Sequence, residues 1–323
     1  MKRTSFTLVI LLLLAAGCAG ARRDASLPPQ ETAREAEATS LFGEPLFPPP
    51  LPEERKREHL AKLSEARGRL EKTPNDPEAL IWMGRRNAYL GRYREAIALF
   101  TEGIEKFPDD PRFYRHRGHR YITTRRFDEA VADLEKARAL IFSRPDEAEP
   151  DGIPNERNMP TSTLNSNIWY HLGLAYYLKG DFESALPAYR DCLEFSKNPD
   201  MLVATSHWLY MTLRRLGREE EAGTVLGPIR EDLDIIENRD YHRLLLTYQG
   251  KRSAESLLSD AAKAGSLANA TVGYGVGNWH LYHGRREEAV RTFRELLRVE
   301  QWPAFGHIAA EADLKRLGDS PSR

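Results

Sequence analysis

Apolar positions recur along most of this chain at intervals of three and four, the spacing that gathers them on one face of a helix. The first such stretch runs from Glu53 to Lys72, with Leu60, Leu63, Ala66 and Leu70 on one stripe. Pro52 opens it, and Glu53 and Glu54 suit the positive end of its dipole. From Pro77 to Asp110 the pattern splits into two helices joined at Gly91, with Gly84, Tyr93, Ala96, Phe100 and Pro108 at marked positions. The same order returns at Pro111, 34 positions after Pro77, as Gly118, Tyr121, Phe127, Ala130, Leu134 and Ala137. It returns again over Leu164 to Lys197, as Trp169, Leu172, Gly173, Tyr176, Gly180, Phe182, Ala185 and Tyr189. The second half drifts. A unit over about Val203 to Ile236 keeps Trp208, Leu209, Leu213, Gly217, Ala222 and Leu226 but has Tyr210 where a glycine is expected. A truncated unit over Asp240 to Ala264 turns at Gly250, and one over Ala270 to Pro303 carries Gly277, Gly284, Ala289 and Phe293. Ala304 to Leu317 reads as a last helix that caps the array.

A unit of two helices cannot bury its apolar face alone, so repetition at this period predicts stacking into a solenoid. The small residue on each first helix and the alanine on each second let the pair approach closely; bulky residues fill the rest. The period and the marked positions resemble the tetratricopeptide repeat. The fold expected is therefore all-α: a right-handed superhelix of antiparallel helix pairs over residues 53–323. One segment interrupts it. Residues 143–163 carry Pro145, Pro150, Pro154 and Pro160, which forbid a continuing helix. An insertion of this length in a regular array is usually functional or disordered; it is expected to fold over the concave face or the edge of the stack, with Thr161 or Ser162 capping the helix that follows.

The N-terminus reads differently. Lys2 and Arg3 precede an apolar run from Phe6 to Ala16, too short for a comfortable membrane span, and Ala15, Ala16 and Gly17 lead into Cys18. This resembles a bacterial lipobox with Ala15 at its first position, which makes residues 1–17 a lipoprotein signal peptide and Cys18 the lipidated N-terminus. An ordinary signal peptide with an incidental cysteine is the other reading. Ala19, in place of a retention aspartate, sends the product to the outer membrane facing the periplasm. Residues 18–52, rich in proline, alanine, glutamate and serine, read as a disordered tether; the apolar patch Leu41, Phe42, Leu46 and Phe47 within it either docks on the folded part or stays free.

Composition narrows function mainly by exclusion. A charged content of 29% does not suit a polytopic membrane protein, and a formal net charge of -1 makes nucleic acid a poor partner. Cys192 reads as a buried core thiol, which leaves no disulfide framework. His116 with His119, and His280 with His283, stand three apart on helices, but no further ligand is placed, so no metal and no cofactor is expected. There is no HExxH and no GxSxG, and no catalytic residue is assigned. Gly273, Gly275 and Gly277 lack the preceding strand of a phosphate loop and fall inside a helical pattern.

The exposed side of each first helix offers better material. It gives Arg85 and Tyr89, then Arg112, Arg115 and His119, then Asn167, Tyr170 and Tyr177, then His207, Arg214 and Arg215. A basic and aromatic groove of this kind suits an acidic or C-terminal peptide. The segments HWLYMTLRRLGREEEA, YHRLLLTYQGKRSAESLL and NWHLYHGRREEAVRTFRELL further resemble the second half of NlpI-type outer-membrane lipoproteins. That resemblance implies a homodimeric, non-enzymatic adaptor on a lipid anchor that binds protein or peptide partners of the cell envelope. Two other readings stay open: an envelope enzyme or a peptidoglycan- or sugar-binding protein using the insertion and its nearby histidines, and a structural part of an outer-membrane assembly complex.

Overall fold

A computed structural model describes residues 35–321 apart from residue 265. The signal peptide expected over 1–17, Cys18, and the tether as far as residue 34 lie outside the described residues. A lone helix, α1 (Glu53–Lys72), precedes the array. It buries His59, Leu63 and Ala66; Leu60 faces solvent, and His59 takes the inner place by stacking on Tyr89 at 5.9 Å. Helix pairs follow: α2 (Pro77–Tyr89) with α3 (Tyr93–Lys106), α4 (Pro111–Thr123) with α5 (Phe127–Ile141), and α6 (Leu164–Lys179) with α7 (Phe182–Phe195). Then come α8 (Pro199–Arg215) with the short α9 (Glu219–Val225), α10 (Arg239–Tyr248) with α11 (Ala254–Ala264), and α12 (Ser266–Tyr282) with α13 (Arg286–Leu297). The last helix is α14 (Phe305–Arg316). This is the expected all-α superhelix of paired helices.

Local sequence explains the boundaries. Asp76, Asp110 and Asn198 cap α2, α4 and α8 by accepting from backbone N–H groups, and the proline after each or next in line sits where no N–H is needed. Thr163, rather than Thr161 or Ser162, caps α6, in a reciprocal box with Ser166. Pairs pack closely where glycine allows it. A Cβ on Gly84 would stand 2.4 Å from the Phe100 ring, and one on Gly277 would stand 2.4 Å from the Phe293 ring. Gly275 likewise lies under Leu244 inside α12, so Gly275 and Gly277 serve helix packing there. The continuous core runs through Leu134, Leu172, Tyr177, Tyr189, Trp208, Tyr274 and Phe293.

Three segments depart from a plain open array. The first is residues 35–52, which are folded and not a free tether. Ala38–Thr39 pairs antiparallel with Pro45–Leu46 as a small ribbon, β1 and β2. Ala38 and Leu46 pack on the cluster that contains Tyr93 and Trp302. Arg94 N–H donates to Glu37 at 2.8 Å, Leu41 N–H donates to Glu311, and Lys315 Nζ donates to Leu41 O at 2.7 Å. The apolar patch therefore docks, and the ribbon clasps the first repeat to the last helix.

The second is the insertion. Its two arms meet between Ala148 and Thr163, and Glu149 N–H donates to Ser162 O at 3.1 Å. Arg85 donates to Pro150 O and Arg86 to Gly152 O, each at 2.7 Å, so one end is fastened to α2. Arg157 forks onto Asp234 at 2.6 and 2.7 Å, and Asn155 and Thr161 donate to Glu237, so the other end is fastened ahead of α10. The insertion is a lid across the first helices.

The third is α14. A capping helix keeps a polar outer face, but every residue from Gly306 to Leu314 is buried. It packs against α12 and α13 and also against α6. A Cβ on Gly306 would fall 2.1 Å from the backbone oxygen of Ala270, which explains a glycine where α14 crosses α12. The array thus turns back on itself and places its own last helix inside the groove.

Candidate binding pocket

Helix α4 carries the run RFYRHRGHR from Arg112 to Arg120. Phe113 and Gly118 point into the repeat core, which leaves Arg115, His116, His119 and Arg120 on the inner side. Arg85 and Tyr89 of α2 stand beside them, and Asn167, Tyr170 and His171 of α6 stand on the far side. The lid adds Glu149 and Asp151. The approach to α10 adds Glu237, α10 itself adds Tyr241, and α14 adds Phe305. Together they enclose a pocket of about 400 Å³, within the range of small-ligand sites.

Its electrostatics are set by burial. Arg115 Nε lies 2.9 Å from Glu149 Oε2, both side chains being buried. Asn167 also donates to Glu149, at 3.1 Å, and to Ser162 Oγ at 2.9 Å. Burial, then the nearby Arg115, Arg85 and Arg120 guanidiniums, holds His116 well below the ordinary imidazole range. His119 and His171 are held down in the same way, so these rings are neutral at pH 7. His119 packs at a tilt on its neighbours: the His119 and His171 centroids are 4.3 Å apart, and Phe305 lies 5.3 Å from His119. Among the described residues, no three His, Cys, Asp or Glu side chains converge as metal ligands. Burial and the neighbouring Arg115 and Arg85 pull Arg120 down to about 10, with Tyr93 opposing. Burial and Glu237 push Asp151 up to about 6.

Residues 83–148 and 166–199 match family models of the tetratricopeptide repeat. These stretches are tetratricopeptide repeats. Among solved structures, the chain is similar to YrrB, described as a tetratricopeptide protein with an unusual peptide-binding site. The two share 16% identity over 77% of this chain and 97% of that one, with a TM-score of 0.41. It is also similar to a tetratricopeptide protein from Parabacteroides merdae, at 14% identity over 80% of this chain and 93% of that one, with a TM-score of 0.44. No curated protein matches the chain. Tetratricopeptide arrays are scaffolds for protein or peptide partners, which they hold against extended concave surfaces.

Of the expected groove residues, Arg85, Tyr89, Arg115, His119, Asn167 and Tyr170 line this pocket, from three successive helix pairs. The other expected groove residues are elsewhere. Arg112 is tied to Asp110 at 2.6 Å and Glu78 at 2.8 Å at the start of its helix. Tyr177 is 0% exposed and meets the Tyr274 hydroxyl at 2.7 Å. His207 is buried between Tyr241 and Tyr248. Arg214 lies over the Tyr282 ring at 4.6 Å, and Arg215 pairs with Asp313 at 2.9 Å. The last four do point from first helices, but α10, α12 and α14 occupy the space they face. Sequence reasoning missed Arg120, His171, Glu149, Asp151, Glu237, Tyr241 and Phe305. Arg120 was within reach, being one turn past His116 in the same basic run. Cys192 is a core thiol: buried, bonded to Thr205 Oγ1 at 3.3 Å, and pushed up to about 12 by burial.

Proposed function

We propose that this is a non-enzymatic adaptor of the cell envelope, anchored through a lipidated Cys18, that binds its ligand in the pocket beneath the lid and presents the lid to protein partners. The observation that carries this reading is the convergence of Arg85, Arg115, Tyr89 and Tyr170 beneath a lid that is itself fastened at both ends. With α14 in the groove, a long peptide has no path along the concave wall. The lid's outer surface is the alternative, and Ile153 and Met159 there are 57% and 54% exposed. These two apolar side chains give a partner surface to bury on the lid.

Two measurements test it. Cys18→Ser should abolish metabolic labelling with radioactive palmitate and move the protein from the membrane to the soluble fraction of cells. A labelled, membrane-bound Cys18→Ser protein would remove the anchor from the reading. Separately, a photo-crosslinking residue placed at Ile153 in the lipidated protein should capture a small set of envelope proteins, identified by mass spectrometry. Capture of none beyond background, with the same probe exposed and the fold intact, overturns the adaptor role.

A further inference from the structure

The pocket's charges are unevenly matched. Glu149 answers Arg115, and Arg85 gives its Nη2 protons to the neutral acceptors Pro150 O at 2.7 Å and Tyr89 Oη at 3.3 Å. Arg120 has no acidic partner among the described residues; it lies 5.5 Å over the Tyr93 ring and is otherwise open to the pocket. The opposite side has the converse surplus. Glu237 accepts from Asn155 at 2.6 Å and Thr161 at 3.0 Å, both neutral, and Asp151 accepts no hydrogen bond among the described residues. Neither carboxylate has a cation within ion-pair distance among the described residues. Tyr89, Tyr170, Tyr241 and Phe305 line the same pocket.

We propose that the pocket takes a small zwitterion, a free amino acid or a short peptide, with its carboxylate at Arg120 and its ammonium at Asp151 and Glu237. This rests on the reading of the protein as a binding protein. A simple anion would satisfy Arg120 and leave the carboxylates uncompensated; a simple amine would do the reverse. Only a ligand with both charges answers both sides: Arg120 and Asp151 are half-buried without an ion-pair partner among the described residues, and the more exposed Glu237 adds to the negative side. The raised proton affinity of Asp151 comes first from burial and then from Glu237, with the more distant Arg85 only partly opposing them. The aromatic wall favours an apolar body between the two charged ends.

Isothermal titration calorimetry on the full chain in detergent micelles tests this with phenylalanine, the dipeptide Gly-Phe, phenylalanine methyl ester, N-acetylphenylalanine, acetate and phosphate. Phenylalanine or Gly-Phe should bind, and the tighter of the two identifies amino acid or peptide as the natural class. The ester and the N-acetyl compound should each bind at least about tenfold more weakly. Arg120→Gln should weaken the zwitterion but leave the ester unchanged, and Asp151→Asn should weaken the zwitterion but leave the N-acetyl compound unchanged. If a variant fails to fold by circular dichroism, the discrimination among ligands by the unaltered protein decides alone. Equal binding of the ester, the N-acetyl compound or a simple anion overturns the proposal, as does no binding of either zwitterion at millimolar concentration. None of these outcomes depends on Cys18 or on a crosslinked partner, so this proposal and the adaptor reading fail separately.

Discussion

Asp313→Ala should destabilise the fold by about 3–5 kcal/mol, the range for a buried ion pair that loses one member. Asp313 is 0% exposed on α14. It accepts from Arg215 at 2.9 and 3.0 Å and from Arg316 at 2.6 and 3.1 Å. The Tyr274 hydroxyl donates to it at 2.9 Å. A hydroxyl has one proton, so Tyr274 must accept from Tyr177, 2.7 Å away. Removing the carboxylate strands the Arg215 guanidinium inside the groove with only Asn278 at 3.1 Å to receive it. Burial alone would raise the Asp313 pKa, but Arg215 and Arg316 outweigh it and hold the carboxyl below its usual value. A folded pKa below the unfolded one makes the contribution full above the ordinary aspartate range and lost as pH falls through the folded value. Urea unfolding followed by circular dichroism should therefore show the large deficit at pH 7, with the unaltered protein and Asp313→Asn drawing together as the solution is acidified. A deficit under about 1 kcal/mol for Asp313→Ala would mean that α14 is not held in the groove by this network.

The parts of the fold that were legible in the sequence are those fixed by neighbours close along the chain. Asp76 before Pro77 and Asp110 before Pro111 mark helix starts because a capping carboxylate and the backbone N–H that donates to it lie two residues apart. Gly84 and Phe100, or Gly173 and Tyr189, fall at fixed offsets because the two helices of one unit must touch there. The drift after residue 200 also has a local cause. Tyr210 replaces the expected glycine and stacks on Tyr248 at 4.6 Å, and α9 is too short to demand close approach along its length. Asp200 then holds the irregular stretch by accepting from the backbone N–H groups of Ile236, Glu237 and Asn238.

What was not legible depends on partners far apart in sequence. Periodicity correctly assigns Tyr177, His207 and Arg215 to inner helix faces, but it carries no signal for which later helix will cover them. Leu41 meets Glu311, Phe47 O receives the Trp302 indole N–H, and Arg157 meets Asp234, all through side chains with no shared local pattern. The pocket sits at this boundary. Its basic and aromatic wall comes from first helices and could be read in advance. Its acidic side comes from the lid and the approach to α10, whose position only the folded chain reveals.

One long-range contact shows in the backbone as well. The helix pairs turn at Gly91, Gly180, Gly217, Gly250 and Gly284, all with positive φ, but the second pair turns at Arg125 with φ 65°. A side chain in that region costs about 1 kcal/mol, so the arginine needs a return. It donates to Glu311 at 3.0 and 2.7 Å, to Thr123 O at 2.7 Å and to Trp302 O at 3.0 Å. The Arg125 and Glu311 side chains are 3% and 2% exposed. Arg125→Gly relaxes the turn but leaves Glu311 buried without its cation, so the net loss should be about 2–4 kcal/mol, the cost of breaking a buried pair less the relieved strain. Glu311 also receives Leu41 N–H, so the damage should spread to the ribbon. Hydrogen exchange should show residues 35–52 of Arg125→Gly opening well before the first repeats, whereas in the unaltered protein they open together with the contacts of α14. A double-mutant cycle with Glu311→Ala should return a coupling of roughly 2 kcal/mol or more. If Arg125→Gly is instead as stable as the parent, the strained turn has no return, and the ribbon and last helix are held by the apolar contacts of Tyr93 and Trp302 alone.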